Sequence, residues 1–182
     1  LKKSLLTLSL GLTASLFGAS AFANTGTIHF EGRIDASTCR IDVVNPDDGS
    51  IGNQVKMGTI QASRFTAAGQ ELRGKGFALR VNGDPGCSIT PSSKANATFN
   101  GTADPTGAFF AVSPTTDAAK NVVIVIRDRT GASVAPGGTS ADYDLNDTGP
   151  TDMRFDAYYR STASAVTAGP ASADVQFVVA IN

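Results

Sequence analysis

The chain has 182 residues, with 15 Lys and Arg against 16 Asp and Glu, one His, two Cys and no Trp. A net charge of −1 without a basic cluster excludes the electrostatic footprint of nucleic-acid binding. One His and two Cys are too few for a His-rich or four-cysteine zinc site, and 19 Gly with eight Pro argue against helical enzymes and coiled coils.

Lys2-Lys3 followed by the uncharged run Leu5 to Phe17 and the small residues of Ala21-Phe22-Ala23 read as a signal peptide over residues 1–23. The apolar run is too short to span a bilayer. Cleavage predicts an exported chain of 159 residues beginning at Asn24, with 13 basic and 16 acidic residues, the size of one domain.

Period-two alternation then recurs along the exported chain. Thr27 to Ile34 puts Ile28, Phe30, Gly32 and Ile34 on one face and His29, Glu31 and Arg33 on the other. Cys39, Ile41 and Val43 alternate up to the turn Asn45-Pro46-Asp47-Asp48-Gly49. Val55 to Ile60 reads as a short strand and residues 61–74 as irregular. Gly76 to Asn82 aligns Phe77, Leu79 and Val81, and Lys94 to Asn100 aligns Ala95, Ala97 and Phe99. Short strands are expected at Phe109 to Val112 and Asp142 to Leu145, and a strongly apolar one at Asn121 to Arg127. Met153 to Arg160 aligns Met153, Phe155, Ala157 and Tyr159, and Asp174 to Ile181 aligns Val175, Phe177, Val179 and Ile181. Many short strands with turn signals between them predict an all-β sandwich.

Catalytic chemistry has little to draw on. The one His, His29, lies close to the cleavage site, a poor position for a rigid general base, so no catalytic residue is assigned. Gly74-Lys75-Gly76 lacks the third glycine and the following helix of a dinucleotide fingerprint. Cys39 and Cys87, 48 positions apart in an exported chain, predict a disulfide, with two buried free thiols as the alternative.

Two amphipathic strands at the ends of the exported chain do not suit a self-contained sandwich. Such terminal strands are liabilities unless something pairs with them, and the pattern reads as a sheet edge left for a strand supplied from elsewhere.

The chain resembles the major structural subunit of type 1 chaperone–usher pili. The resemblance rests on the signal peptide, Gly26-Thr27-Ile28-His29-Phe30-Glu31-Gly32-Arg33-Ile34, Cys39 and Cys87, and Ile126-Arg127-Asp128-Arg129-Thr130-Gly131. It extends through Ala157-Tyr158-Tyr159-Arg160 and Ala168-Gly169-Pro170 to the amphipathic end. Gly169 stands fourteenth from the C-terminus, where the family usually has glycine, whereas Ile181 occupies the penultimate place where the family often has Tyr.

The resemblance implies an incomplete Ig-like β-sandwich lacking its last strand, with an N-terminal donor-strand arm (24–36) ahead of a pilin domain (37–182). It implies a non-enzymatic subunit without metal, cofactor or nucleic acid, carried by a periplasmic chaperone to an outer-membrane usher and polymerised head to tail at the cell surface. Ile28, Phe30, Gly32 and Ile34 would be the donated face. Val175, Phe177, Val179 and Ile181 would line the acceptor groove and meet the chaperone, with Ile41 and Val43 as candidates for its far wall. The alternative is a minor tip or adaptor subunit that contributes directly to adhesion.

Overall fold

The computed structural model describes residues 39–182, and the predicted signal peptide (1–23) and the arm with Ile28, Phe30, Gly32 and Ile34 lie outside them. The described residues form nine strands: β1 (Ile41–Val44), β2 (Glu71–Val81), β3 (Lys94–Gly101), β4 (Phe110–Ala111), β5 (Val122–Arg127), β6 (Ser133–Val134), β7 (Tyr143–Asp144), β8 (Thr151–Ser161) and β9 (Val175–Ile181). One sheet runs β1-β2-β8-β5-β4, with β6 also on β5; the other runs β7-β3-β9, and every pairing is antiparallel. This is the expected two-sheet sandwich.

Alternation is what joins the sheets. Phe77, Leu79 and Val81 of β2 are buried, as are Met153, Phe155, Ala157 and Tyr159 of β8 and Ala95, Ala97 and Phe99 of β3. At the centre, Phe99 meets Phe155 edge-on at 5.0 Å and Phe77 at 6.1 Å, while Phe77 and Phe155 stack at 5.5 Å. Such pairs contribute about 0.5–1.5 kcal/mol each beyond area burial.

The irregular parts also have physical causes. The strand expected at Val55–Ile60 does not form: Gly58 takes φ +70°, which interrupts extended backbone. Val55 and Met57 still pack on the main core, and Ile60 joins a second cluster around Phe65, Val122 and Tyr159. β2 begins at Glu71 rather than Gly76, through a register shift between Leu72 and Lys75 that hides the alternation. Gly74 lies in that shift, where a Cβ would fall 2.5 Å from the Tyr158 ring. Glu71 receives Arg127 bidentately (2.8 and 3.0 Å) and Arg160 (2.9 Å), tying β2, β5 and β8 together; above all the Arg127 hydrogen bonds hold its carboxyl below the usual range.

Two loops share one device, Asp104-Pro105-Thr106-Gly107-Ala108 and Asp128-Arg129-Thr130-Gly131-Ala132. In each, a buried Asp accepts from the Thr hydroxyl two residues on, and its carbonyl accepts from the N–H of the following glycine. The predicted Cys39–Cys87 disulfide is present, with Cα atoms 4.6 Å apart. It joins the start of β1 to the β2–β3 connection, where Asn82 N–H also donates to the Arg40 carbonyl.

Closing a chain segment of this length restricts the unfolded chain by about 4 kcal/mol. Replacing Cys39 and Cys87 by Ser is expected to cost about 2–5 kcal/mol, read as a lower denaturation midpoint with an unchanged denaturant slope.

Candidate functional site

The two rims of the smaller sheet are built differently. Tyr143 of β7 reaches across the sandwich: its ring lies 5.4 Å from Phe155, and its hydroxyl donates to the Arg154 carbonyl and accepts from Arg129 N–H. Burial pushes the Tyr143 phenol up to about 12. Beside it, Asp128 accepts from Ala141 N–H and from the N–H and hydroxyl of Thr130, and Arg129 Nε donates to the Asp142 carbonyl. Asp128-Arg129-Thr130-Gly131 therefore laces β7 to the end of β5.

The opposite rim is β9. Because β7 lies over β8 and β3 lies over β8 and β2, β9 falls on the side of β2 and β1. Among the described residues β9 pairs with β3 alone. Its inner row, Val175, Phe177, Val179 and Ile181, is only half-buried, although the β3 residues Ala95, Ala97 and Phe99 beside it are 0–2% exposed. An apolar row at a rim that the surrounding core covers only in part is the outstanding feature of this side.

Register with β3 divides that row into four levels: Val175 beside Gly101, Phe177 beside Phe99, Val179 beside Ala97 and Ile181 beside Ala95. The Phe99–Phe177 level carries two aromatic rings, whereas Val179 and Ile181 stand beside only the small side chains of Ala97 and Ala95. On the β1 side Ile41 and Val43, as proposed from sequence, are half-buried against the same core. Val55 and Met57 join them, a contribution that the sequence signals only as alternation.

The chain reaches β9 through residues 162–174, which leave β8 in one sheet for β9 in the other. This crossing is fastened to residues 113–121. Thr162 N–H donates to the Asn121 carbonyl and Asn121 Nδ2 to that of Ala165. Lys120 and Thr167 exchange both main-chain bonds, Ala119 N–H donates to Pro170, and Ser113 N–H donates to Ser172. The Tyr159 hydroxyl donates to the Ala171 carbonyl at 2.8 Å. Gly169 sits at the tightest point: a Cβ there would lie 2.1 Å from Asp117 O and 2.6 Å from Ala119 N. That contact explains why a glycine stands there.

The site's chemistry is that of contact rather than reaction. Its inner side chains carry no ionisable group, so what they can do is bury apolar surface, while the strand backbone can supply main-chain hydrogen bonds. An extended segment with one apolar face is the matching ligand class. Among the described residues no group of three His, Cys, Asp or Glu could hold a metal ion.

A family model described as Fimbrial protein matches residues 28–182. The A chain of the type-1 fimbrial protein of Escherichia coli K12 is 33% identical over 94% of this chain and 91% of its own length. The probable major fimbrial subunit LpfA of Escherichia coli O157:H7 is 35% identical over 93% and 90%. Among solved structures, a type I fimbria protein and antigen of Burkholderia pseudomallei is 25% identical, with TM-score 0.56 over 81% of this chain and 90% of that one. The rod subunit of the P pilus shares the fold at 17% identity, with TM-score 0.60 over 79% and 99%.

The β7 lacing predicts an acid response. Burial pushes the Asp128 carboxyl up, but the Thr130 and Ala141 hydrogen bonds outweigh it, and the net shift is downward from 3.8. Asp128 therefore stabilises the fold fully above that unfolded value and loses the contribution as pH falls through its lower folded value. Asp128→Asn should flatten this part of the stability-versus-pH curve, measured by urea unfolding between pH 2 and pH 6, while lowering stability at neutral pH.

Proposed function

The chain belongs to the fimbrial protein family, and from that premise we propose that it is a structural subunit of a surface fimbria, polymerising head to tail by strand donation. The observation that carries this reading is the half-buried apolar row of β9 at a sheet rim. Residues 24–36 of the next copy are the occupant, a strand with its apolar face at Ile28, Phe30, Gly32 and Ile34. A contact between different surfaces of identical subunits does not close on itself and gives a filament. A periplasmic chaperone would cover the β9 rim before donation, and an outer-membrane usher would be the site of exchange. Relatives described as major subunits favour a place in the shaft over one at the tip.

Side-chain size selects the pairing. With the arm antiparallel to β9, Ile28 faces Ile181, Phe30 faces Val179, Gly32 faces Phe177 and Ile34 faces Val175. The arm's Gly then meets the one level already filled by two Phe, and its Phe meets the level floored by Ala97. A parallel arm would press Phe30 onto Phe99 and Phe177 and leave a void at Gly32. Each buried Ile or Phe contributes about 1.5–3 kcal/mol, and the antiparallel arrangement buries all three without overpacking.

Deleting the chain's gene should abolish whole fimbriae in negative-stain micrographs; rods that persist with an altered tip would overturn the shaft reading. Removing residues 24–35 should leave a subunit that accepts a strand but cannot donate one. Gly32→Leu should cost about 1–3 kcal/mol at the crowded level and shorten polymers assembled in vitro. His29→Leu, on the opposite face, serves as control, and normal rods from the Gly32 variant would remove the size argument.

A further inference from the structure

We propose that residues 113–121 and the crossing 162–174 form a clasp that holds β9 ready for an incoming strand, with Gly169 and Tyr159 as positioning residues for acceptance. The inference rests on the strand-acceptor reading and deepens it.

A connection between two sheets with no strand or helix of its own is ordinarily a mobile stretch. This one is fastened along its length. Main-chain bonds to Ser113, Ala119, Lys120 and Asn121 follow one another from Thr162 to Ser172, and at the entry to β9 Asp174 O lies 3.1 Å from where a Cβ on Gly101 would stand. Gly169 permits the backbones to meet, and the Tyr159 hydroxyl closes the contact from inside the sandwich. Val166 and Ala171 pack with Val122 and Tyr159 in the second cluster, so the crossing has its own apolar footing.

The consequence concerns β9 more than the rest of the core. The opposite rim is set by the Tyr143 and Asp128 lacing and does not depend on the crossing. β9 follows the crossing directly, and its position relative to β1 sets the width of the space an arm must fill. A fixed crossing means that the ordering cost of acceptance is met during folding rather than at the moment of association.

The test uses the refolded full chain and a synthetic peptide of residues 24–36. Tyr159→Phe removes one bond of the clasp; Gly169→Ala forces the two backbones apart. Peptide uptake should slow by about tenfold, equivalent to about 1.4 kcal/mol of lost pre-organisation, while each variant donates its own arm to the wild-type chain at the normal rate. Once seated, the peptide should leave the Tyr159→Phe complex at the wild-type rate, because the ordering cost falls on the free chain. Uptake unchanged in Tyr159→Phe would overturn the proposal, as would a slowing matched by an equal loss of donation or by equally faster release of seated peptide, which marks a brace of the fold alone. Should Gly169→Ala fail to refold, Tyr159→Phe decides. A wild-type chain that takes up no peptide at all would refute the acceptor reading itself, a result distinct from any difference between variants.

Discussion

A strand at the rim of a sheet presents one row of main-chain groups that its own sheet does not satisfy, and the whole architecture depends on how its rims are treated. At β7 the answer is side-chain lacing: the Tyr143 hydroxyl spans to Arg154 and Arg129, and Asp128 and Arg129 grip the backbone of Ala141 and Asp142. At β9 the answer is different in kind. Four apolar side chains stand half-covered along a strand whose far end is held to β3 by the reciprocal bonds of Lys94 and Asn182. One rim is finished with polar chemistry, and the other keeps apolar surface half-covered.

Under the strand-acceptor proposal, that asymmetry makes the β9 rim the contact surface. The inner residues of β9, Ile41, Val43, Val55 and Met57 are uncharged, so recognition there can come only from shape, apolar area and backbone pairing. Size is the discriminating variable along the row, because the β3 residues change from Gly to Phe to Ala to Ala beside Val, Phe, Val and Ile of β9. A strand that bound here would therefore have to match a profile of side-chain sizes, and a register slip by one residue would turn its apolar face to solvent.

Much of this was legible in the sequence wherever period two ran unbroken. Phe77-Leu79-Val81, Ala95-Ala97-Phe99, Met153 to Tyr159 and Val175 to Ile181 all face as their alternation predicts. The failures have specific causes. Glu71 to Gly74 looked irregular because the bulge after Leu72 shifts the alternation, and Val55 to Ile60 looked like a strand because φ at Gly58 is invisible in a list of residue types. The two-residue strand β6 is too short to carry a pattern. Gly169 could be noted by position but not explained, since its reason is the backbone of residues 117–119, remote in sequence. The D-x-T-G turn at Asp128 was noticed as a string of residues, yet its reach to Ala141 and Tyr143 is a tertiary fact.

The disulfide has a mechanical meaning as well as a thermodynamic one. Cys39 is the point at which a pull on the preceding chain enters the sandwich, one residue before Arg40 and two before β1. There the load divides: part follows the backbone into a four-residue edge strand paired along its length with β2 and bridged at its end to Ile51, and part crosses the sulfurs to Cys87, in the connection between β2 and β3. A short edge ladder pulled from one end yields bond by bond, whereas a covalent branch into the junction of both sheets spreads tension over β2 and β3. Under stretching, the domain is thus anchored at its middle rather than peeled from its margin.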